Sequence, residues 1–115
     1  MKENRKFIRL SAPIGISYKP AKQKRRKPTL SLARDISGGG IRFLAKEDLR
    51  EGDLLELEIS IPHLKEPIEA IGEVMWFSKT KERERELREA GVCFLDISAE
   101  DLHQVLEYVH TIGIG

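Results

Sequence analysis

Hydrophobic and polar positions alternate along most of this chain, with a period of two. Leu55, Leu57, Ile59 and Ile61 are interleaved with Glu56, Glu58 and Ser60. Such a pattern predicts a strand with one face buried and the other in water. Ile14, Ile16 and Tyr18 predict a first strand, opened by Pro13, where a missing N–H does least harm. Thr29 to Ile36 reads as a second strand, with Leu30 and Leu32 on one face, and Ile41 to Leu44 as a short third. Ile68, Ala70, Gly72, Val74 and Trp76 alternate again. Gly72 marks a bend of the kind a curled sheet needs, and Trp76 falls in step with the core positions and is assigned to packing. Gly91 to Leu95 is the last strand. Between these lie a basic hairpin loop at Lys19 to Lys27, a turn within Leu49 to Asp53 and a loop from Pro62 to Pro67. Lys79 to Glu89 has nine charged residues in eleven. It offers too little apolar surface to bury, so a solvated loop with one helical turn at Glu84 to Arg88 is expected.

At the C-terminus the period changes. Leu102, Val105, Leu106 and Val109 fall at i, i+3, i+4 and i+7, one face of a helix. Ser98 is its predicted N-cap, and Asp101 stands where a capping box places an acidic side chain. Gly113 stands where a helix C-terminal glycine belongs, so the helix is predicted over 98–112. Six short strands with turn punctuation followed by one amphipathic helix predict an all-β fold with a C-terminal helix. The architecture expected is a six-stranded antiparallel β-barrel with the helix across one open end or side.

Composition changes this picture little, and charge changes it more. A chain of 115 residues, 40% of them hydrophobic, makes one globular domain with a single core. Its net charge of +1 conceals an asymmetry, because residues 1–27 carry +9 and residues 28–115 carry −8. The N-terminal part therefore attracts anions while the body is mildly acidic. Residues 1–11 are basic and have only Phe7, Ile8 and Leu10 as apolar anchors, so they are expected to form a flexible arm ahead of a barrel domain spanning 12–115. No apolar run is long enough to cross a membrane and no signal-peptide core is present, which places the chain in the cytoplasm. The single cysteine, Cys93, cannot form an internal disulfide and is read as an inert residue in a strand.

The stretch with the most chemistry is Arg34-Asp35-Ile36-Ser37-Gly38-Gly39-Gly40. Three glycines between two strands imply either a positive φ or a close approach by another group. Asp35 and Ser37, at i and i+2, point to one face of an extended segment. The ordinary account is a tight turn whose Asp and Ser bond their own backbone. A second Asp-Ile-Ser, at 96–98, serves as an internal control. There a helical period follows and the serine is a cap, whereas no helix follows the first copy.

Arg5 and Arg9 with Asp35, Ser37 and Gly40 spell R-x-x-x-R followed by D-x-S-x-x-G. In this ordered pair of motifs the chain resembles the PilZ domain family, bacterial receptors for the second messenger cyclic di-GMP. The resemblance continues through Gly72-Glu73-Val74-Met75-Trp76 and Gly91-Val92-Cys93-Phe94-Leu95-Asp96 to the final helix. It implies a six-stranded barrel with a C-terminal helix. It also implies that Arg5 and Arg9 meet phosphate and guanine, and that Asp35, Ser37 and Gly40 meet guanine. The chemistry suits that ligand. An arginine fork grips guanine O6 and N7 or phosphate oxygens, and a carboxylate accepts from guanine N1–H and N2–H.

The function expected is a cyclic di-GMP receptor or adaptor domain that changes conformation on binding and passes the signal to an effector protein. It would need no cofactor. One alternative is a nucleic-acid-binding barrel using the arm and loop 19–27, although no aromatic residue interleaves that basic loop. Lys24 to Lys27 could equally meet anionic lipid, or form a plain solvated tip. Another alternative is a protein-interaction module that does not use the ligand, against which Arg5, Arg9 and Asp35 speak. Catalysis is not expected, because no nucleophile, base and orienting acid assemble with any specificity. His63, His103 and His110 have no partners at metal-ligand spacing, so no metal is expected.

Overall fold

The computed structural model describes residues 14–114. Residues 1–13, with Arg5, Arg9 and the expected arm, lie outside them. Six antiparallel strands form a closed barrel: β1 (Ile14–Pro20), β2 (Thr29–Ile36), β3 (Gly40–Leu44), β4 (Leu54–Ser60), β5 (Ile68–Glu82) and β6 (Arg85–Ile97). Around the barrel they run β1-β2-β3-β6-β5-β4, and β4 closes on β1. The expected six-stranded antiparallel barrel with a C-terminal helix is the fold observed.

Alternation builds the core directly. Tyr18, Phe43, Leu57, Ile59, Ile68 and Val74 point inward and are fully buried. Tyr18 and Phe43 meet with ring centroids 4.8 Å apart. The Tyr18 hydroxyl accepts from the Lys46 backbone N–H at 3.0 Å, and burial pushes its pKa above 10.0. A buried phenol with a partner keeps its oxygen from being orphaned.

The C-terminal helix, α1 (Ala99–Ile114), crosses the end of the barrel and buries Val105 completely. Its cap is as expected, since the Asp101 N–H donates to Ser98 Oγ at 3.0 Å. The Asp101 carboxylate takes a different partner. It accepts from the Glu69 N–H at 3.1 Å and so pins the first turn of the helix to β5. The helix also runs through Gly113 to Ile114, so that glycine does not end it.

Leu30 and Leu32 share one face as expected, and it is the outer face of the barrel. Two more expectations are corrected. Lys79 to Glu89 is not a loop with a helical turn. It is the far part of a β5–β6 ribbon, turned at Arg83 and Glu84 with φ of 52° and 65°. Folding about that turn sets Glu82 opposite Arg85 and Lys81 opposite Glu86, pairs of opposite charge across the strands. At the ribbon's base Asp48 binds Arg88 at 2.8 Å and Lys79 at 3.4 Å, and the Arg88 guanidinium holds the Asp48 carboxyl below its usual value.

The second correction concerns Trp76. The β5–β6 pairing carries two irregularities, one at Ile71/Gly72, where Leu95 of β6 is the extra residue, and one at Val74/Trp76. At the first, a Cβ on Gly72 would stand 2.4 Å from Val92 Cγ1, so the bend is also a place where only glycine fits. At the second, Met75 is an extra residue between the Val74–Val92 and Trp76–Gly91 pairs. A bulge rephases a strand, so Trp76 emerges outside the barrel, 38% exposed, rather than in the core.

Candidate functional site

β2 reaches the glycine turn through a bulge of its own, between Ala33 and Asp35. Ala33 is the last half-buried position of the regular alternation, and Ile36 is the next one fully buried. The bulge thus puts Asp35 outside, opposite Arg42 of β3. The two side chains form an ion pair of 2.7 Å through Arg42 Nη2 and Asp35 Oδ2, each still more than a third exposed. Arg34, on the same outer side, pairs with Glu89 at 3.3 Å.

The turn that follows is held from within and from behind. The Ser37 N–H donates to Gly40 O at 2.9 Å, and the Gly39 N–H donates to Ser37 Oγ at 3.2 Å. The Phe94 N–H of β6 donates to Gly39 O at 2.9 Å. None of the three glycines is in the left-handed region. Close approach to backbone is what requires glycine at position 40. A Cβ on Gly40 would lie 2.1 Å from the Val92 carbonyl oxygen, and one on Gly38 would lie 2.7 Å from Leu106 Cδ2 of α1. The turn is therefore a flat ledge on β6 and the helix, with the exposed Ser37 at its lip.

Strand register extends the ledge into a row. Asp35 lies opposite Arg42, Arg42 opposite Gly91, and Gly91 opposite Trp76. These four positions cross β2, β3, β6 and β5 on the outer surface. The indole lies directly over Gly91, where a Cβ would stand 2.2 Å from Trp76 Nε1. The row offers a carboxylate, a guanidinium and an exposed aromatic face beside the glycine ledge. Such a surface can accept hydrogen bonds from a planar base, stack on its face and attract its phosphate.

The structure thus brings together Asp35, Ser37 and Gly40 of the five residues expected at the site; Arg5 and Arg9 lie outside the described residues. It adds Arg42 and Trp76, which sequence reasoning left out. The bulge at Met75 is what brings Trp76 to the site, and its one trace in the sequence is the small Gly91 that receives the ring. Cys93 lies opposite Gly40 in β6 and is half-buried.

A concavity of about 510 Å³ lies elsewhere, on the outside of β4 and β5. Glu56, Glu58, Glu69, Asp96 and Asp101 line it, with Lys19. Those carboxylates repel an anionic ligand. Among the described residues no group of three or more His, Cys, Asp or Glu side chains is placed to hold a metal ion, and no helix is long and apolar enough to cross a membrane.

Comparison with known proteins finds the PilZ domain family profile over residues 3–111. No curated protein sequence matches. Among solved structures, the chain is similar to the Bacillus subtilis inhibitor of motility MotI/DgrA, with 22% identity and a TM-score of 0.74 over 93% of this chain and 50% of that one. It is similar to the PilZ domain of YcgR from Escherichia coli, solved with c-di-GMP, with 17% identity and a TM-score of 0.69 over 90% of this chain and 83% of that one. It is also similar to MrkH of K. pneumonia, with 15% identity and a TM-score of 0.78 over 99% of this chain and 50% of that one. The chain spans about half the length of the MotI and MrkH chains.

Proposed function

The chain belongs to the PilZ domain family, and from that premise we propose that it is a receptor domain for cyclic di-GMP. The observation that carries the reading is the row from Asp35 through Arg42 and Gly91 to Trp76 beside a turn that tolerates only glycine at position 40. Asp35 accepts from guanine N1–H and N2–H. Arg42 takes one oxygen of that carboxylate and orients the other toward the base. Ser37 and the bare backbone of the ledge let the flat base approach closely. Trp76 supplies a face for stacking, worth about 1–3 kcal/mol per base.

Arg5 and Arg9 complete the site by gripping phosphate and guanine. β1 begins at Ile14, opposite Ala33 and so beside Asp35. Five residues from Ile14 to Arg9 reach up to about 17 Å, enough to bring the arginine over a ligand on the ledge. Ordering such an arm costs about 1–2 kcal/mol of backbone entropy per residue fixed. Affinity is therefore lower than the contacts suggest, and the arm closing over the ligand is the switch that presents a new surface to an effector protein. The reading is one of binding without catalysis, in the cytoplasm, where a nucleotide second messenger acts.

Trp76 is the single tryptophan of the chain, which makes the site its own reporter. Titration with cyclic di-GMP should give a saturable change in indole emission, as a guanine covers a ring now 38% exposed. Calorimetric binding with unchanged emission would remove Trp76 from the site. Hydrogen exchange tests the switch. Amides around residues 4–10 should gain protection with ligand, while those of β4 barely change. An arm already fully protected in the free protein would mean that the switch lies elsewhere.

A further inference from the structure

β2 is built the wrong way round for a core strand. Its inward positions are Thr29, Ser31 and Ala33, and its outward ones include Leu30 and Leu32, 74% and 52% exposed. Slipping the register by one residue would bury both leucines, yet the pairing with β1 and β3 holds them out. Their neighbours on β1 are small. Ser17 lies opposite Leu30 and Gly15 opposite Leu32, so the two side chains stand proud of the wall.

Directly before Leu30 comes the β1–β2 loop with Lys22, Lys24, Arg25 and Lys27, all exposed. Two further cations of this segment are absorbed locally, Lys19 by Glu56 at 3.6 Å and Arg26 by Glu47 at 2.7 Å. The other four have no ion-pair partner among the described residues. The loop is nevertheless folded. The Ala21 N–H donates to Leu54 O, the Gln23 N–H to Pro20 O, the Arg26 N–H to Gln23 O, and Lys19 Nζ to Lys24 O. Cations and leucines are thus held side by side on one part of the surface. The acidic outer face of β4, with Glu56 and Glu58, is two strands further round. The two faces meet across β1, where Glu58 stands opposite Ser17 and Lys19 pairs with Glu56.

We propose that the outer face of β2 and the β1–β2 loop form a docking surface for an anionic lipid bilayer. Two protruding leucines enter the boundary between headgroups and acyl chains, while the four cations lie among anionic headgroups. Charge complementarity selects an anionic partner, and the small apolar area selects a bilayer over a protein. Two leucines are far short of the roughly 800 Å² per partner of a stable protein interface. A bilayer needs no more than a shallow wedge when several cations act beside it. The result is reversible attachment without a membrane-spanning segment.

The test uses the whole chain without nucleotide, sedimented with vesicles of phosphatidylcholine alone or mixed with phosphatidylglycerol. The chain should bind the mixed vesicles, ignore the neutral ones and bind less as salt rises. Leu30→Ser with Leu32→Ser should weaken binding on the order of tenfold, as should Lys24→Glu with Arg25→Glu, because both wedge and charges are needed. All these side chains are exposed, so circular dichroism should be unchanged in each variant. Arg5→Ala with Arg9→Ala should leave vesicle binding in place. No binding to anionic vesicles would overturn the proposal and leave the leucines to a protein partner. Undiminished binding of the leucine variant, or loss confined to the arm variant, would overturn it as well. The leucine variant should bind cyclic di-GMP as the parent does, so failure here is distinguishable from failure of the receptor reading.

Discussion

Replacing Asp35 with alanine should cost about 1.5–3 kcal/mol of cyclic di-GMP binding, on the order of ten- to a hundredfold, the range for hydrogen bonds to a charged group. Two effects act together. The base loses the acceptor that reads its N1–H and N2–H edge, and Arg42 loses the partner that holds it at 2.7 Å. Stability should change little, because the pair is more than a third exposed on both sides and such pairs are weak. The other Asp-Ile-Ser gives the control. Ser98→Ala removes the acceptor for the Asp101 N–H, so it should lower the melting temperature and leave affinity alone. Calorimetry and thermal melts on the two variants separate these outcomes. Lost binding in Ser98→Ala at unchanged stability would mean that the two copies have been given each other's roles.

Gly40→Ala should be the most damaging single substitution in the turn. The added carbon would stand 2.1 Å from the Val92 carbonyl oxygen and 3.0 Å from Cys93 Cα, and both are backbone atoms. No rotamer change relieves such a clash, so β3 must part from β6, where Gly40 and Cys93 are paired. Overpacking of this kind costs about 1–3 kcal/mol, occasionally more. At about 4–8 °C per kcal/mol for a domain of roughly this size, the melting temperature should fall by roughly 4–24 °C. Gly39→Ala is the contrast, because its new carbon meets nothing closer than Ser37 Oγ at 3.9 Å. Equal melting temperatures for the two variants would contradict the close approach as the reason for glycine at position 40.

What could be read from the sequence and what could not divide along physical lines. β1 and β4 were legible because strict alternation marks a wall with water on one side, and Ile16, Tyr18, Leu57 and Ile59 are buried as that pattern requires. The cap at Ser98 was legible because capping is local. β2 was legible as a strand but not in its facing. Period two tells which residues share a face, not which face is inside, and here the apolar one is outside. The β5–β6 ribbon was hidden by its charge. A solvated run reads as a loop until its turn is placed, and only then do Glu82 and Arg85 stand opposite one another. At the site, Asp35, Ser37 and Gly40 were visible as a motif. Arg42 and Trp76 were not, because both depend on strand register. The bulge at Met75 shifts Trp76 by one position, and a glycine at position 91 is too common a residue to announce such an insertion.

A pair of calorimetric titrations tests most directly whether Asp35 reads guanine. Cyclic di-GMP should bind the purified chain with micromolar or tighter affinity, about −8 kcal/mol or better. Cyclic di-AMP carries the same two phosphates and a similar stacking surface, but adenine lacks the N1–H and N2–H donors that a carboxylate accepts. It should bind far more weakly. Equal affinity for the two dinucleotides would contradict guanine recognition by Asp35, since the site would then be reading phosphate and ring area alone.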